Sequence, residues 1–268
     1  MSAISPYFAL FTALALYAAG TLVAFGSLFT REKSTQNVAL GFMIAGWAAH
    51  TVWIGTICVR THHPPLTNLP EAAAFMGWTL FGVELVLFIK YRVQAASFFV
   101  YPLVLILATV SAVVREPFAK MDPALRSRLF TAHVLLSTVG VAALLVGLCF
   151  TLLAFLQDRS LKMKTRGPLW DWIPSLSVCK MVGYRALAIG FSVYTLGILS
   201  GIMWSYRTTA EFMDLRVKQV SAIVAWILFA TLLQSYISGS AYRSRRVVLV
   251  SAGAFVAVVV AILGIHHV

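Results

Sequence analysis

Eight apolar runs follow one another along this chain, and only short charged segments separate them. Each run is about 20 residues or longer, which as an α-helix is enough to cross roughly 30 Å of hydrocarbon. Hydrophobic residues form 60% of the chain, charged residues form 11%, and the mean hydropathy is +0.87, a balance that soluble domains of this size do not reach. The sequence therefore predicts an all-α, polytopic membrane protein that is one integral membrane domain over residues 1–268.

The first run has no basic residues before it and extends to Phe29, so we expect a retained helix rather than a cleaved signal peptide. The segments between the runs are too short to form a soluble domain. The predicted helices cover residues 5–29, 37–59, 70–90, 93–114, 128–156, 185–205, 218–240 and 247–266.

The basic residues predict the orientation in the membrane. Of the 21 Lys and Arg residues, 13 fall at the odd-numbered connections between the predicted helices and 8 at the even-numbered ones. Because the cytoplasmic side carries the excess of basic residues, both termini are expected on the outer side. The net charge of +12 lies in these short connections, so it suits topology and anionic lipid head groups rather than nucleic acid.

Several classes of catalytic site find no support in the sequence. Cys58, Cys149 and Cys179 are far apart and form no CxxC or CxxCH motif, so neither thioredoxin-like exchange, motif-based haem attachment nor disulfide scaffolding is expected. No GxSxG motif or glycine-rich nucleotide loop occurs. We therefore expect no catalytic residues.

Three histidines are candidates for a cofactor site. His133 lies inside the fifth predicted helix, and an imidazole within a membrane needs a partner, a cavity or a cofactor; the alternative is a hydrogen bond to a neighbouring helix. His266, beside His267, lies in the last predicted helix, and its alternative role is that of an interfacial polar residue. His50 lies in the second helix, where Trp47 and Trp53 at i−3 and i+3 would form an aromatic cradle.

The third predicted helix has a well-marked beginning. Thr67 or Asn68 can cap it, and Pro70 and Glu71 suit its first turn. Near its other end we expect Glu84 to extend toward the interface or to pair with a basic residue there, Lys90 or Arg92.

Two imidazoles from separate helices are the ligand set of a six-coordinate haem iron. Histidine ligation also suits zinc or copper. The many Trp, Phe and Tyr residues, with no cysteine or paired carboxylate nearby, favour a porphyrin over a bare ion.

Three stretches of the sequence resemble the cytochrome c assembly family, the CcsA/HemX-like integral membrane proteins. PLTNLPE followed by a tryptophan is similar to that family's PLSNLYE…W segment, and AHV followed by LLAFLQDRSLK is similar to its LHV…YLLQ…LK helix. YR, GF and TLGILSGIMW are similar to its YR…GFPLLTLGIISGAIW helix. These stretches occupy residues 65–78, 132–162 and 184–204.

The resemblance implies a haem-related role. In the family, haem is held at the outer face by two histidines beside a tryptophan-rich loop and is passed to apocytochrome c. Carried over by position, His133 and His266 would be the ligands of the iron of a haem b, and Trp204 precedes the loop. We count His133, His266, His50 and Trp204 as cofactor-binding candidates.

Two departures from the family pattern weaken the case for ligase activity. Residues 205–219 contain no tryptophan where haem-handling members carry a loop of the type WGSYWSWDPKE, and Gln234 stands where the family has a histidine. Because glutamine is a poor ligand of haem iron compared with imidazole, a second, deeper haem site is not expected. These losses place the chain toward the HemX-like branch.

Three functional hypotheses follow. The first is a haem-related accessory protein of cytochrome c assembly in the bacterial inner membrane, with haem b between outer-face histidines and no ligase chemistry of its own. The second is a structural or docking subunit of a larger respiratory or photosynthetic membrane complex that has lost the cofactor. The third is a haem lyase or exporter component of cytochrome c maturation.

The basic segment 158–180 is expected to form a cytoplasmic loop. It carries Pro168 and Pro174 together with Leu169, Trp170 and Trp172. Such a segment can bind a cytosolic protein or lie on the inner leaflet as an interfacial element.

Overall fold

Eight α-helices form the part of the chain that the structure describes, with no strand among them. The computed structural model describes residues 7–30, 32–61, 65–66, 68–114, 127–164, 170, 172–209, 217–239 and 245–263. The helices are α1 Tyr7–Thr30, α2 Lys33–Thr61, α3 Leu69–Tyr91, α4 Ser97–Val113, α5 Arg128–Met163, α6 Leu176–Thr209, α7 Val217–Ile237 and α8 Arg245–Leu263.

The predicted class, an all-α polytopic membrane protein, is confirmed. Six of these helices are long and apolar enough to cross a membrane, and α4 and α8 are shorter apolar helices. Large apolar side chains point outward on several of them, for example Leu22 with 73% and Leu249 with 71% of the side chain exposed. An apolar outer surface is what a helix in contact with lipid tails requires.

Two helix boundaries differ from the prediction by more than four residues. Helix α5 continues to Met163 rather than 156, and α6 begins at Leu176 rather than 185. Charged residues end an apolar run but not a helix, and Asp158 and Lys162 form an i,i+4 ion pair of 2.5 Å on the added turns of α5. Both ends of the expected 158–180 loop therefore lie in helices.

The helices group into two compact units. The N-terminal unit contains α1–α4 and the C-terminal unit contains α5–α8. In the N-terminal unit α1 packs on α2 and α4, and α3 packs on α4. Glycines permit the close approach of α1 and α2, since a Cβ at Gly46 would lie 2.8 Å from the Tyr17 ring and one at Gly20 would lie 2.9 Å from Met43.

In the C-terminal unit, α5 and α6 pack side by side along most of their length. Their contacts keep one antiparallel register, because each step forward along α5 is matched by an equal step back along α6. Glycines stand at most of these contacts: Phe130 with Trp204, His133 with Gly201, Ser137 with Gly197, Gly140 with Tyr194, Leu144 with Gly190, and Gly147 with Leu187.

Candidate functional site

His133 lies in the second turn of α5. The helix begins at Arg128 after Ser127, whose hydroxyl accepts a hydrogen bond from the backbone N–H of Phe130 at 3.1 Å. Ser127 thus caps one of the free N–H groups at the start of the helix. Phe130 and His133 are three residues apart and both contact α6.

A hydrogen bond fixes the orientation of the His133 ring. Its Nδ1 atom lies 2.7 Å from the carbonyl oxygen of Gly197 on α6 and 3.4 Å from the hydroxyl of Ser137. A carbonyl oxygen only accepts hydrogen bonds, so Nδ1 carries the proton and donates it. In this tautomer the lone pair lies on Nε2.

Gly201 provides the space for the imidazole. A Cβ at residue 201 would lie 2.6 Å from Nδ1 and 2.7 Å from Cε1 of His133. Real side chains do not approach so closely, so an alanine would push the ring away from α6. The observed position of the His133 ring therefore requires glycine at residue 201. The reason is the lack of a side chain, because the backbone of Gly201 has an ordinary helical conformation.

An aromatic pair, Phe130 and Trp204, lies one turn closer to the beginning of α5 than His133 does. The rings of Phe130 and Trp204 have centroids 5.1 Å apart and planes inclined by 53°. Trp204 follows Gly201 by three residues, so the structure brings Trp204 to the same end of the α5–α6 pair as His133. Flat apolar rings beside an imidazole are a suitable wall for a porphyrin.

The contacts of His133 fit a haem ligand. Histidines that bind a metal commonly donate their other ring N–H to a backbone carbonyl, which orients the ring and raises the basicity of the ligating nitrogen. His133 has this arrangement toward Gly197, and the side chain is half-buried. The alternative prediction, a hydrogen bond to a neighbouring helix, is confirmed as a contact, and it is compatible with ligation through Nε2.

His50 belongs to the N-terminal unit and is fully buried. Its Nδ1 lies 3.3 Å from the hydroxyl of Tyr17, and its ring centroid lies 5.7 Å from that of Trp53. Within the described residues its Nε2 has no hydrogen-bond partner. The expected contact with Trp53 is confirmed, whereas Trp47 turns away and stacks on Trp78 with ring centroids 5.3 Å apart.

Two expectations about α3 have different outcomes. Asn68 caps the helix as expected, because its Oδ1 accepts a hydrogen bond from the backbone N–H of Glu71 at 3.0 Å. The expectation for Glu84 is wrong: the residue is 5% exposed, and its Oε2 has no hydrogen-bond partner in the described parts of the chain. Lys90 instead lies over the Tyr91 ring and Arg92 over the Phe88 ring.

Several other residues singled out from the sequence lie outside the described residues. His266 is among them, together with His267 and the segment 210–216. The assignment of His133 and His266 as ligands of the haem iron stays a prediction, as does the role of His50 and Trp204 as cofactor-binding residues. Gln234 is described, and its side chain is exposed on α7.

Sequence reasoning missed the residues that hold His133 in place. Gly197 supplies the carbonyl, Gly201 supplies the space, and Phe130 pairs with Trp204. One signal was present: Gly183, Gly190 and Gly197 recur every seven residues, which keeps them on one helix face. A glycine face on a membrane helix indicates close packing against a neighbour.

Comparisons with known proteins agree with the sequence motifs. The family model of the cytochrome c assembly protein matches residues 66–268. The chain is 26% identical to protein HemX of Brevibacillus brevis over 197 residues, covering 73% of this chain and 72% of that protein. It is 24% identical to the cytochrome c biogenesis protein CcsA of Guillardia theta over 260 residues, covering 90% and 86%. Against CcsA of Chlorella vulgaris the identity is 28% over 245 residues, covering 78% and 76%.

Proposed function

This chain belongs to the cytochrome c assembly protein family, and we propose that it is a haem-binding accessory protein of cytochrome c assembly without ligase chemistry of its own. One observation carries the proposal. The hydrogen bond from His133 Nδ1 to the Gly197 carbonyl leaves the lone pair on Nε2, which is the form of imidazole that coordinates iron.

In this proposal His133 and His266 would hold the iron of a haem b. When bound, haem b supplies the iron porphyrin that cytochrome c assembly consumes. The chain's own residues orient the ligand: Gly197 accepts the Nδ1 proton, Gly201 leaves room for the ring, and Trp204 with Phe130 offers an aromatic wall. We base the haem proposal on His133 rather than on His50, because the His50 side chain is fully buried.

The lack of ligase chemistry is proposed from the sequence. Residues 205–219 contain no tryptophan, whereas haem-handling members of the family carry a tryptophan-rich loop at that position. A protein that keeps His133 without that loop fits a role in holding haem better than a role in attaching it.

We further propose the setting in which it acts. The distribution of basic residues supports termini on the outer side of a bacterial cytoplasmic membrane, and that orientation would put the beginning of α5 on the outer side. Other membrane subunits of a cytochrome c maturation or respiratory complex are the proposed partners. A cytosolic protein that binds the 158–180 segment is a further proposed partner.

The proposal is tested by the haem content of the protein purified from haem-replete cells. A pyridine haemochrome assay should detect haem b in the wild type and in His267→Ala, and should detect a large loss in His133→Ala and His266→Ala. A colourless wild-type protein would instead favour a structural subunit. Restoration of holocytochrome c in a strain without its own synthase would contradict the proposed lack of ligase chemistry.

A further inference from the structure

Three helices of the N-terminal unit bring buried polar groups to one small cavity. The residues that line it include Trp53 from α2, Glu71 from α3 and Ser111 from α4. These residues are between 2% and 3% exposed. The cavity lies beside the second half of α2, near the end of α4 and the beginnings of α1 and α3, and its volume is about 10 Å³.

Two of the residues that line this cavity, Trp53 and Ser111, carry a buried polar atom that has no hydrogen-bond partner among the described residues. Neither Trp53 Nε1 nor Ser111 Oγ forms a hydrogen bond within the ranges that the structure describes. A buried polar group without a partner is costly, and the great majority in native proteins bind either protein or ordered water. Two such atoms on residues that line the same cavity therefore point to a molecule bound there.

The polar groups of the residues that line the cavity restrict the chemical class of this molecule. An indole N–H only donates, so the occupant must offer a lone pair, which excludes a bare metal cation and an ammonium ion as partners of Trp53. A carboxylate accepts, so the occupant must also donate, and the serine hydroxyl can do either. The volume is close to the roughly 10–15 Å³ that a single water molecule needs.

We propose that an ordered water molecule occupies this cavity, where it accepts a hydrogen bond from Trp53 Nε1 and bridges the Ser111 hydroxyl and the Glu71 carboxylate. The water joins the second half of α2 and the end of α4 to the first turn of α3, which Asn68 caps. The water thus links three helices of the N-terminal unit through hydrogen bonds, and its binding does not depend on haem.

Removal of one partner of a bridging water should lower stability, whereas removal of a hydroxyl with no partner should not. Ser97 is the matched control: its hydroxyl is buried and has no hydrogen-bond partner among the described residues, and it lies at the opposite end of α4. Ser111→Ala should lower the apparent Tm in detergent by roughly 2–4 °C, and Ser97→Ala should leave it unchanged or raise it. Equal effects of the two substitutions would mean that the cavity is dry and would overturn the proposal.

The water can also be observed directly by NMR of the full chain in lipid nanodiscs with ¹⁵N-labelled tryptophan. The indole N–H of Trp53, identified by its loss in Trp53→Phe, should show a cross-peak to bound water. The indole of Trp226 is an internal control because it donates to Thr195 Oγ1 at 2.9 Å. Ser111→Val adds a methyl group to the cavity and should abolish the Trp53 cross-peak. A Trp53 indole without a water cross-peak in the wild type would overturn the proposal.

Discussion

The Nδ1 atom of His133 lies 2.7 Å from the carbonyl oxygen of Gly197, so the second turn of α5 is tied to the middle of α6. His133 was a candidate from the sequence, whereas the role of Gly197 was not predicted. Because a carbonyl accepts and cannot donate, the bond also determines which ring nitrogen carries the proton. The proposed role of His133 as a haem ligand depends on that relationship.

Gly201→Ala should weaken haem binding. The new Cβ would lie 2.6 Å from His133 Nδ1, so the ring must move and its bond to Gly197 is strained or lost. Loss of the group that orients a ligand typically weakens metal affinity by roughly 10–100-fold. Titration of the purified apoprotein with haem, followed by its absorption, measures the change.

The control for that substitution is Gly55→Ala. Nothing lies within 4 Å of a Cβ at Gly55, so the affinity for haem should equal that of the wild type. If Gly201→Ala binds haem as tightly as Gly55→Ala does, the orientation of His133 by α6 is irrelevant to the site.

Gly140→Ala should destabilise the C-terminal unit. Its Cβ would lie 2.6 Å from the backbone nitrogen of Tyr194, and backbone cannot move aside as a flexible side chain does. Overpacking of this kind costs roughly 1–3 kcal/mol. Gly41→Ala has no atom within 4 Å of the new Cβ and should be neutral or slightly stabilising, because alanine is the better helix former. Unfolding in mixed micelles compares the two variants, and equal stabilities would contradict the close packing of α5 on α6.

Tyr17→Phe should destabilise the N-terminal unit through His50. The Tyr17 hydroxyl lies 3.3 Å from His50 Nδ1, and both side chains are fully buried. Loss of one partner from a buried pair costs roughly 1–3 kcal/mol. The same substitution should cost much less in a His50→Leu background, and a double-mutant cycle without coupling would show that the pair contributes nothing.

Asn68→Ala should destabilise α3 at its beginning. The Asn68 side chain accepts a hydrogen bond from the backbone N–H of Glu71 at 3.0 Å, and loss of such a cap costs roughly 0.5–2 kcal/mol. Asn68→Ser keeps an acceptor and should retain most of the stability. The free energy of unfolding of the two variants checks the cap, and a serine variant as unstable as the alanine variant would count against it.

The proposed orientation predicts that reporters at either terminus report the outer side. Alkaline phosphatase fused after residue 268 should be active, and a fluorescent protein that folds only in the cytoplasm should be dark at the same position. The opposite pattern would reverse the orientation and would place the beginning of α5 on the cytoplasmic side.

Much of the fold was predictable because the thickness of the bilayer determines both the length of an apolar run and the length of the helix that it forms. The eight apolar runs correspond to the eight described helices. The end of α5 and the beginning of α6 were not predictable in this way, because the hydrocarbon limits where apolar residues must be but not where a helix may continue. Asp158 and Lys162 end the apolar run and stabilise the helix together.

The candidate site was predictable in part. A histidine inside a membrane helix is conspicuous, and His133 was found for that reason. Its partners were not predictable, because they depend on the register between α5 and α6. Glu84 shows the same limit, since its burial depends on the packing of the whole N-terminal unit rather than on its distance from Lys90.

The most direct test of the central claim is the visible absorption spectrum of a His133→Gly variant with and without added imidazole. If His133 binds the haem iron, the wild type should have the Soret and visible bands of low-spin haem b, the variant should lose them, and added imidazole should restore them by replacing the missing side chain. A His133→Gly protein whose spectrum matches that of the wild type, and does not respond to imidazole, would contradict the assignment of His133 as a haem ligand.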